Sequence, residues 1–476
     1  MKTLIRLHSG VPGLDALTEG GFIAGASYLI QGRPGSGKTI LANQIAFNHA
    51  RAEGKAIFAS LLSEPHDHLL QFLSTLSFFD HTKVGDSIFY ISAFEVLENE
   101  GLDEVVKVLR REIVRNKASL LILDGLLNAR SQAETPIDTK KFVAELQMHA
   151  AFMGCTIIFL TSAEIEQGRP ELTMVDGVIS LFTKSTNVHT QRQVEIHKLR
   201  GSGYLSGQHE YWISKDGIAI SPRIEERFRV SAGVPGKGFT RRICSGVSGL
   251  DRTLNGGLLE GSATLFFGPS GCGKTTLGLN FVCSIATHEK ALIVSLYEDQ
   301  DQLVLKANEL KMHLESLIDS SGVKVEWQPT SGFRLDDMAS RILDTVRKSD
   351  IKRVFIDSLS ALTRQAGLQG RLVEFVSALL NELRALGATL YLSWETSGFP
   401  NADIQSPPPE ICSIVDNIFM LSFSDNQDDA SPFRLSVVKC RHSLFDRRAN
   451  SVVIREGGIH FSGTSQTHVI DPLSKV

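Results

Sequence analysis

One eight-residue pattern occurs twice in this chain, as Gly32-Arg-Pro-Gly35-Ser36-Gly37-Lys38-Thr39 and as Gly268-Pro-Ser-Gly271-Cys272-Gly273-Lys274-Thr275, 236 residues apart from Lys38 to Lys274. Each copy follows an apolar, strand-like run (residues 28–31 and 264–267) and opens a helix-like segment beginning with Ile40 or Thr276. That is the context in which G-x-x-x-x-G-K-[ST] reads as a phosphate-binding loop. Glycines let the backbone bend until successive N–H groups converge on phosphate oxygens at the positive end of a helix. Lys38 and Lys274 are then expected to reach the β- and γ-phosphates, and the hydroxyls of Thr39 and Thr275 to hold Mg²⁺. The expected ligand is Mg·ATP. A Gly-rich turn before a helix, the bland alternative, does not account for two copies in register.

The repetition reaches beyond the loops. Ser9-Gly-Val-Pro-Gly-Leu-Asp15 matches Ser245-Gly-Val-Ser-Gly-Leu-Asp251 and Gly20-Gly21 matches Gly256-Gly257, all at the same offset. A period of this length is that of whole domains rather than of a solenoid unit. The expected organisation is a first domain over 1–230, a linker over 231–243 and a second domain over 244–476. The seam falls within residues 221–240, where prolines and glycines follow the charged run Arg223-Ile-Glu-Glu-Arg-Phe-Arg229, itself expected to be solvated.

Composition restricts the function classes. The chain is 42% hydrophobic and 21% charged with a formal net charge of −4, which disfavours a nucleic-acid partner. Its start shows no apolar run of the kind that directs secretion, and no span approaches the roughly 20 apolar residues of a transmembrane helix. A cytoplasmic protein is expected. Six cysteines without paired C-x-x-C spacing argue against zinc and disulfides. Cys272 stands apart, because N–H dipoles inside the second loop would favour its thiolate.

After each loop, helix-period segments alternate with continuous apolar runs. In residues 102–116, Leu102, Val105, Val106, Leu109 and Ile113 follow the 3.6 period, and Ser119-Leu-Leu-Ile-Leu-Asp124 is apolar throughout. Residues 335–348 and Arg353-Val-Phe-Ile-Asp357 repeat the arrangement. Strands apolar on both faces and separated by helices predict an α/β fold with a mostly parallel sheet in each domain. Ligands then bind at the carboxyl ends of the strands, where Asp124 and Asp357 would join Thr39 and Thr275 around the metal.

Hydrolysis also requires a group that accepts a proton from the attacking water. Glu298 and Asp299 follow the apolar run 291–297, with Glu298 as candidate base and metal-shell carboxylate and Asp299 as its neighbour. In the first half Leu62 and Ser63 are placed at the equivalent positions and Glu64 one step later. Either Glu64 shifts in, or the first site binds nucleotide and turns it over poorly.

These residues resemble the KaiC family of RecA-like ATPases, whose founding member is a circadian-clock protein. The resemblance rests on the duplicated opening motif, both loops, Ile356-Asp-Ser-Leu-Ser-Ala-Leu362, the acids after Tyr297, and the segments His197-Lys-Leu-Arg-Gly-Ser202 and Val438-Lys-Cys-Arg-His-Ser443. It implies two tandem RecA-like domains and a double-ring homohexamer with nucleotide at each subunit boundary. Lys198, Leu199, Arg200 and Ser202, with Lys439, Cys440, Arg441 and Ser443, would then approach the neighbouring subunit's nucleotide. It also implies a protein signalling partner and raises an autokinase activity for which Ser413 is the single available hydroxyl. Three departures are visible: His442 replaces a glycine, the first domain lacks the acids, and the one hydroxyl of Ser413 stands where the clock member has adjacent Ser and Thr; the chain also ends soon after its last strand. Two other classes share the loops, a nucleotide-gated scaffold with weak turnover and a RecA-type DNA-dependent ATPase. The acidic balance counts against the latter.

Overall fold

The structure is a computed structural model that describes residues 4–63, 66–126, 136–162, 174–185, 190–229, 241–329, 334–364, 370–396, 407–424, 432–441, 444–446 and 448–462. The chain divides between Arg227 and Phe228 into two compact units. Each holds a nine-stranded sheet.

In the first unit the order across the sheet is Gly217–Ser221, His209–Ser214, Thr190–Leu199, Gly177–Ser185, Ser27–Gly32, Thr156–Thr161, Leu120–Asp124, Ala56–Ser60 and Ile88–Ser92. The six strands from Gly177–Ser185 to Ile88–Ser92 run parallel, and the three at the other end are antiparallel. The second unit repeats this order as Gly458–Phe461, Asn450–Arg455, Phe433–Cys440, Asn417–Phe423, Ala263–Gly268, Thr389–Glu395, Arg353–Asp357, Ala291–Ser295 and Val323–Trp327. Both are RecA-like, mostly parallel sheets flanked by helices, as the alternation in the sequence requires.

The central strands are buried on both faces because their side chains alternate between two cores. Tyr28 and Ile30 pack with Ile45 and Phe47 of the helix Lys38–Arg51 on one side, while Leu29 packs with Leu109 and Phe142 on the other. The helix Leu102–Asn116 buries Val105, Val106, Leu109 and Ile113, the stripe its 3.6-residue period predicts. It starts with Asp103 and Glu104 and ends on Arg115, charges that suit the helix dipole.

Two devices fix the loop helices in place. The repeated opening motif is a backbone clamp: Asp15 accepts from the amides of Ser9 and Gly10 at 2.9 and 3.1 Å, and Asp251 from that of Ser245 at 2.8 Å. On the loop helices, Gln44 and Asn280 occupy matching positions and each forks onto the terminal hairpin of its sheet. Gln44 donates to Ile218 O and accepts from Ile218 N; Asn280 donates to Gly457 O and accepts from Ile459 N. These buried amides have their polar atoms satisfied, so the fork orients the helix at little cost.

The charged run 223–229 is not a solvated linker. Ile224 is fully buried in the short helix Ile224–Arg227, Arg223 pairs with Glu225 at 2.8 Å, and Ser206 donates to Glu226 at 2.9 Å. One buried isoleucine is enough to dock the turn on the first unit. Most of the expected linker 231–243, namely residues 231–240, lies outside the described residues. Among the described residues no helix is long and apolar enough to cross a membrane.

Candidate functional site

Each phosphate loop joins a central strand to the helix that follows it. Gly35 and Gly37 have φ of 79° and 91°, and Gly271 and Gly273 have φ of 80° and 91°. Those values lie in the left-handed region that side chains avoid. Gly37 and Gly273 are the caps of the helices Lys38–Arg51 and Lys274–Cys283, and neither helix carries an acid in its first turn. The free amides and the helix dipole therefore meet an anion unopposed. Ile40 and Thr276 lie in the first turns of these helices.

The loop lysines curl back over their own loops. Lys38 Nζ donates to the carbonyls of Gly32 and Arg33 at 2.7 and 3.1 Å, and Lys274 Nζ to those of Gly268 and Pro269 at 3.0 and 2.7 Å. Burial lowers the pKa of Lys38, with Asp124 acting in the opposite direction. The loop threonines face the strand-end aspartates as the sequence predicts. Thr39 donates to Asp124 at 3.3 Å and Thr275 to Asp357 at 2.7 Å. Ser393 donates to the other Asp357 oxygen. Burial raises the pKa of Asp357, while the hydrogen bonds from Ser393 and Thr275 oppose that shift.

In the second unit these groups line a cleft of about 510 Å³ that also takes in Tyr297, Glu298, Lys306 and Glu395. Both oxygens of Glu298 accept from Lys306 Nζ, at 2.6 and 2.8 Å. Asp299 does not reach the cleft. It caps the helix Gln300–Glu309, accepting from the Gln302 amide at 2.9 Å while the Gln302 side chain returns to the Asp299 amide. An acid just after a strand and just before a helix is the standard capping box, and that local demand takes its side chain.

The first unit differs by register. Ser60 pairs with Asp124 and Ser295 with Asp357, so the two strands are offset by 235 residues rather than 236. Leu62 therefore matches Tyr297, Ser63 matches Glu298, and Glu64 matches the capping Asp299. Glu64 itself lies outside the described residues.

Cys272 is not poised as a thiolate. It is buried, burial raises its pKa, and the nearby Lys274 only partly opposes this. Ser36, its counterpart, is likewise buried.

The residues of the K-x-R segments stand at the opposite edge of each sheet. Tyr28 pairs with Gly177, which pairs with Leu199, and Thr264 pairs with Asn417, which pairs with Cys440. Leu199 and Cys440 thus lie four residues below the loop, about 13 Å at the usual rise per residue. Lys198 donates to Val175 O at 2.6 Å, and Lys439 to Cys412 O and Val415 O at 2.7 Å each. Arg200 faces Asp176 at 3.8 Å, and Arg441 faces Asp416 at 3.5 Å and donates to Ser413 O at 2.8 Å. Ser202 is engaged inside its own unit, accepting from Arg6 and donating to Thr18 O. Ser443 and His442 lie outside the described residues.

Three groups of the second cleft were not singled out from the sequence. Lys306 is two helical turns beyond the cap that follows Glu298, a spacing that could have revealed it. Ser393 and Glu395 alternate along Thr389–Glu395, but only the sheet order shows that this strand lies between the loop strand and the Asp357 strand.

Comparison with known proteins agrees with the duplicated fold. The family model described as "ATPase: KaiC" matches twice, over residues 7–225 and 243–466. A circadian clock oscillator protein KaiC from Picosynechococcus sp. is 25% identical over 472 residues, covering 96% of this chain and 90% of the relative. Its namesake from Synechococcus elongatus is 25% identical over 486 residues, covering 96% and 89%. The circadian clock protein KaiC3 of a Synechocystis sp. is 24% identical over 474 residues, covering 96% and 91%.

Proposed function

This chain belongs to the KaiC family of ATPases, and from that premise we propose that both its domains bind Mg·ATP while the second carries the hydrolysis. The observation that supports the asymmetry is the pair Glu298 and Ser63. Glu298 lines the cleft of the second domain, and counting from the paired strands Ser63 is its counterpart in the first. A serine is a far weaker proton acceptor than a carboxylate near neutral pH.

The donor sets fit the ligand. Converging loop amides and Lys38 or Lys274 suit phosphate oxygens, while Thr39 with Asp124 and Thr275 with Asp357 offer the hydroxyl and carboxylate oxygens a hard cation takes. Mg²⁺, when bound, neutralises charge on the triphosphate. In the second site Lys274 stabilises the charge that builds on the γ-phosphoryl group, and Glu298 orients the attacking water and accepts its proton. The bond between the γ-phosphorus and the bridging oxygen breaks, releasing ADP and phosphate.

The K-x-R residues cannot complete their own sites across a sheet. They suit a ring in which Lys198, Arg200, Lys439 and Arg441 meet the neighbouring subunit's phosphates, as in an arginine finger. We read the assembly as a double-ring homohexamer acting in signalling or regulation through a protein partner. Ser413 meets Arg441 through its backbone carbonyl, while its hydroxyl donates to Pro409 O at 2.9 Å. A second reading, autokinase activity at Ser413, therefore requires that hydroxyl to turn away from Pro409 toward a neighbour's triphosphate.

Steady-state hydrolysis by the purified protein, beside Lys38→Ala and Lys274→Ala and with radiolabel followed in protein as well as in free phosphate, tests the division. Turnover is expected to vanish with Lys274→Ala and to persist with Lys38→Ala. Equal loss in both variants would overturn it. Label in protein that disappears with Ser413→Ala would support the autokinase.

A further inference from the structure

The contact between Glu298 and Lys306 has a consequence for the chemistry. A carboxylate accepts a proton from water only through a lone pair directed at it. Here a single ammonium is shared between both oxygens, at 2.6 and 2.8 Å, so it takes one lone pair of each and lowers the basicity of those that remain; its charge also reaches Asp357. Lys306 is borne on Gln300–Glu309, the helix that Asp299 caps, and its side chain lines the same cleft as Lys274 and Thr275. It also lines the groove that continues the cleft past Gln302, Leu305 and Glu309. The ammonium therefore opens onto the same cleft as the phosphate-binding loop.

The first unit supplies an internal comparison. Counting from the paired strands, Ser63 stands for Glu298 and Gln71, on the helix His66–Leu73, stands for Lys306. Acid and lysine are absent together. A lysine kept only to solvate its helix would have no reason to be missing where the acid is missing.

We propose that Lys306 is a positioning residue of the second site: it holds both oxygens of Glu298 in the nucleotide-free chain and withholds the base from water until the ammonium moves to the triphosphate. The polyanion wins this exchange because several phosphate oxygens outbid one carboxylate for the same cation. The pair is about one-third exposed on each side, so solvent screening leaves it weak enough to open. The inference rests on the reading of the second domain as the hydrolytic one.

Three full-length variants test it, with two readouts. Carbodiimide applied to nucleotide-free protein should join Glu298 to Lys306 directly, detected as a cross-linked peptide by mass spectrometry. The yield should fall several-fold when a non-hydrolysable ATP analogue and Mg²⁺ are present. Equal yields in both states overturn the exchange. In steady state the released ammonium serves the triphosphate, so Lys306→Met should raise KM several-fold with little change in kcat, whereas Lys306→Arg, whose guanidinium can serve both partners, should keep KM near that of the wild type. An unchanged KM in Lys306→Met overturns the proposal. Glu298→Gln separates the two levels of failure. If that variant keeps its turnover, Glu298 is not the base and the hydrolytic reading of the site fails; if it loses turnover while Lys306→Met keeps the wild-type KM, only the latch fails.

Discussion

The phenol of Tyr211 donates a 2.6 Å hydrogen bond to the backbone carbonyl of Ser36, pinning the first phosphate loop from beneath. Among the described residues the second loop has no matching phenol, because strand register puts Val452 at the position of Tyr211 and Phe433 at that of its neighbour Arg192. Tyr211 is fully buried and its carbonyl partner has no water to turn to. Pre-ordering the loop in this way favours tight binding over turnover, consistent with a first domain that holds nucleotide. Tyr211→Phe should weaken nucleotide binding at the first site by about fivefold, the effect of one net hydrogen bond of about 1 kcal/mol. Titration of a fluorescent ATP analogue into a Lys274→Ala background isolates that site. An unchanged affinity would show that the pin orders nothing the nucleotide needs.

What the sequence made legible, and what it did not, divides along a physical line. The loops, their lysines and the strand-end Asp124 and Asp357 are dictated by local backbone requirements, and they recur at fixed spacing. Strands apolar on both faces can only be central strands, so the sheet was legible as well. Asp299 misled because a carboxylate after a strand serves equally as helix cap and as catalytic group, and composition cannot tell which. Ser63 was misassigned by one residue because the loop offset does not carry through to the next strand; only the pairing of Ser60 with Asp124 reveals the shift. Tyr211, Ser393 and Glu395 are brought to the sites by sheet order, which no local pattern encodes.

Asp357 makes the second domain sensitive to pH in a direction opposite to that of a surface carboxylate. Burial raises its pKa above the ordinary value near 3.8. Between that value and the raised one, the native state holds a proton that the unfolded chain has lost. Stability therefore falls as pH rises through this window, above which the metal-free domain carries a costly buried charge. Asp357→Asn should remove this part of the slope and raise the metal-free melting temperature above the window. It should also abolish the gain in melting temperature that Mg·ATP gives the second domain. Melting curves of both proteins across pH, with and without Mg·ATP, provide the check; parallel slopes would refute the assignment.

Gly278 and Phe355 form a volume pair that the first domain solves differently. A methyl group on Gly278 would overlap the Phe355 ring, and the matching residues of the first domain are Ala42 and Ile122, all four being buried. The helix carries the smaller residue wherever the strand carries the larger. Gly278→Ala should destabilise the second domain by about 1–3 kcal/mol, the usual cost of overpacking, despite alanine's better helix propensity. Adding Phe355→Ile should recover most of that loss, because the pair then copies the first domain. Denaturant midpoints of the two variants decide the matter, and an additive double variant would count against it.

Arg441 and Lys274 of one chain stand at opposite edges of the same sheet, so each should serve a different site. Arg441 is held beside Asp416 and Ser413 at the amino ends of the parallel strands, while Lys274 closes the loop at their carboxyl ends. If Arg441 acts on a neighbouring subunit's triphosphate, Arg441→Ala damages the site of the next subunit and Lys274→Ala damages its own. Each homogeneous variant should then lose hydrolysis. Mixed in equal amounts before assembly, the two variants should recover about a quarter of wild-type turnover, since that share of boundaries in a closed ring joins an intact loop to an intact arginine. A finger acting within its own chain would leave every subunit with one defect, and the mixture would be as inactive as its parents. The measurement needs only hydrolysis rates of the two proteins, alone and co-assembled, and the recovered fraction reports directly whether the site is shared.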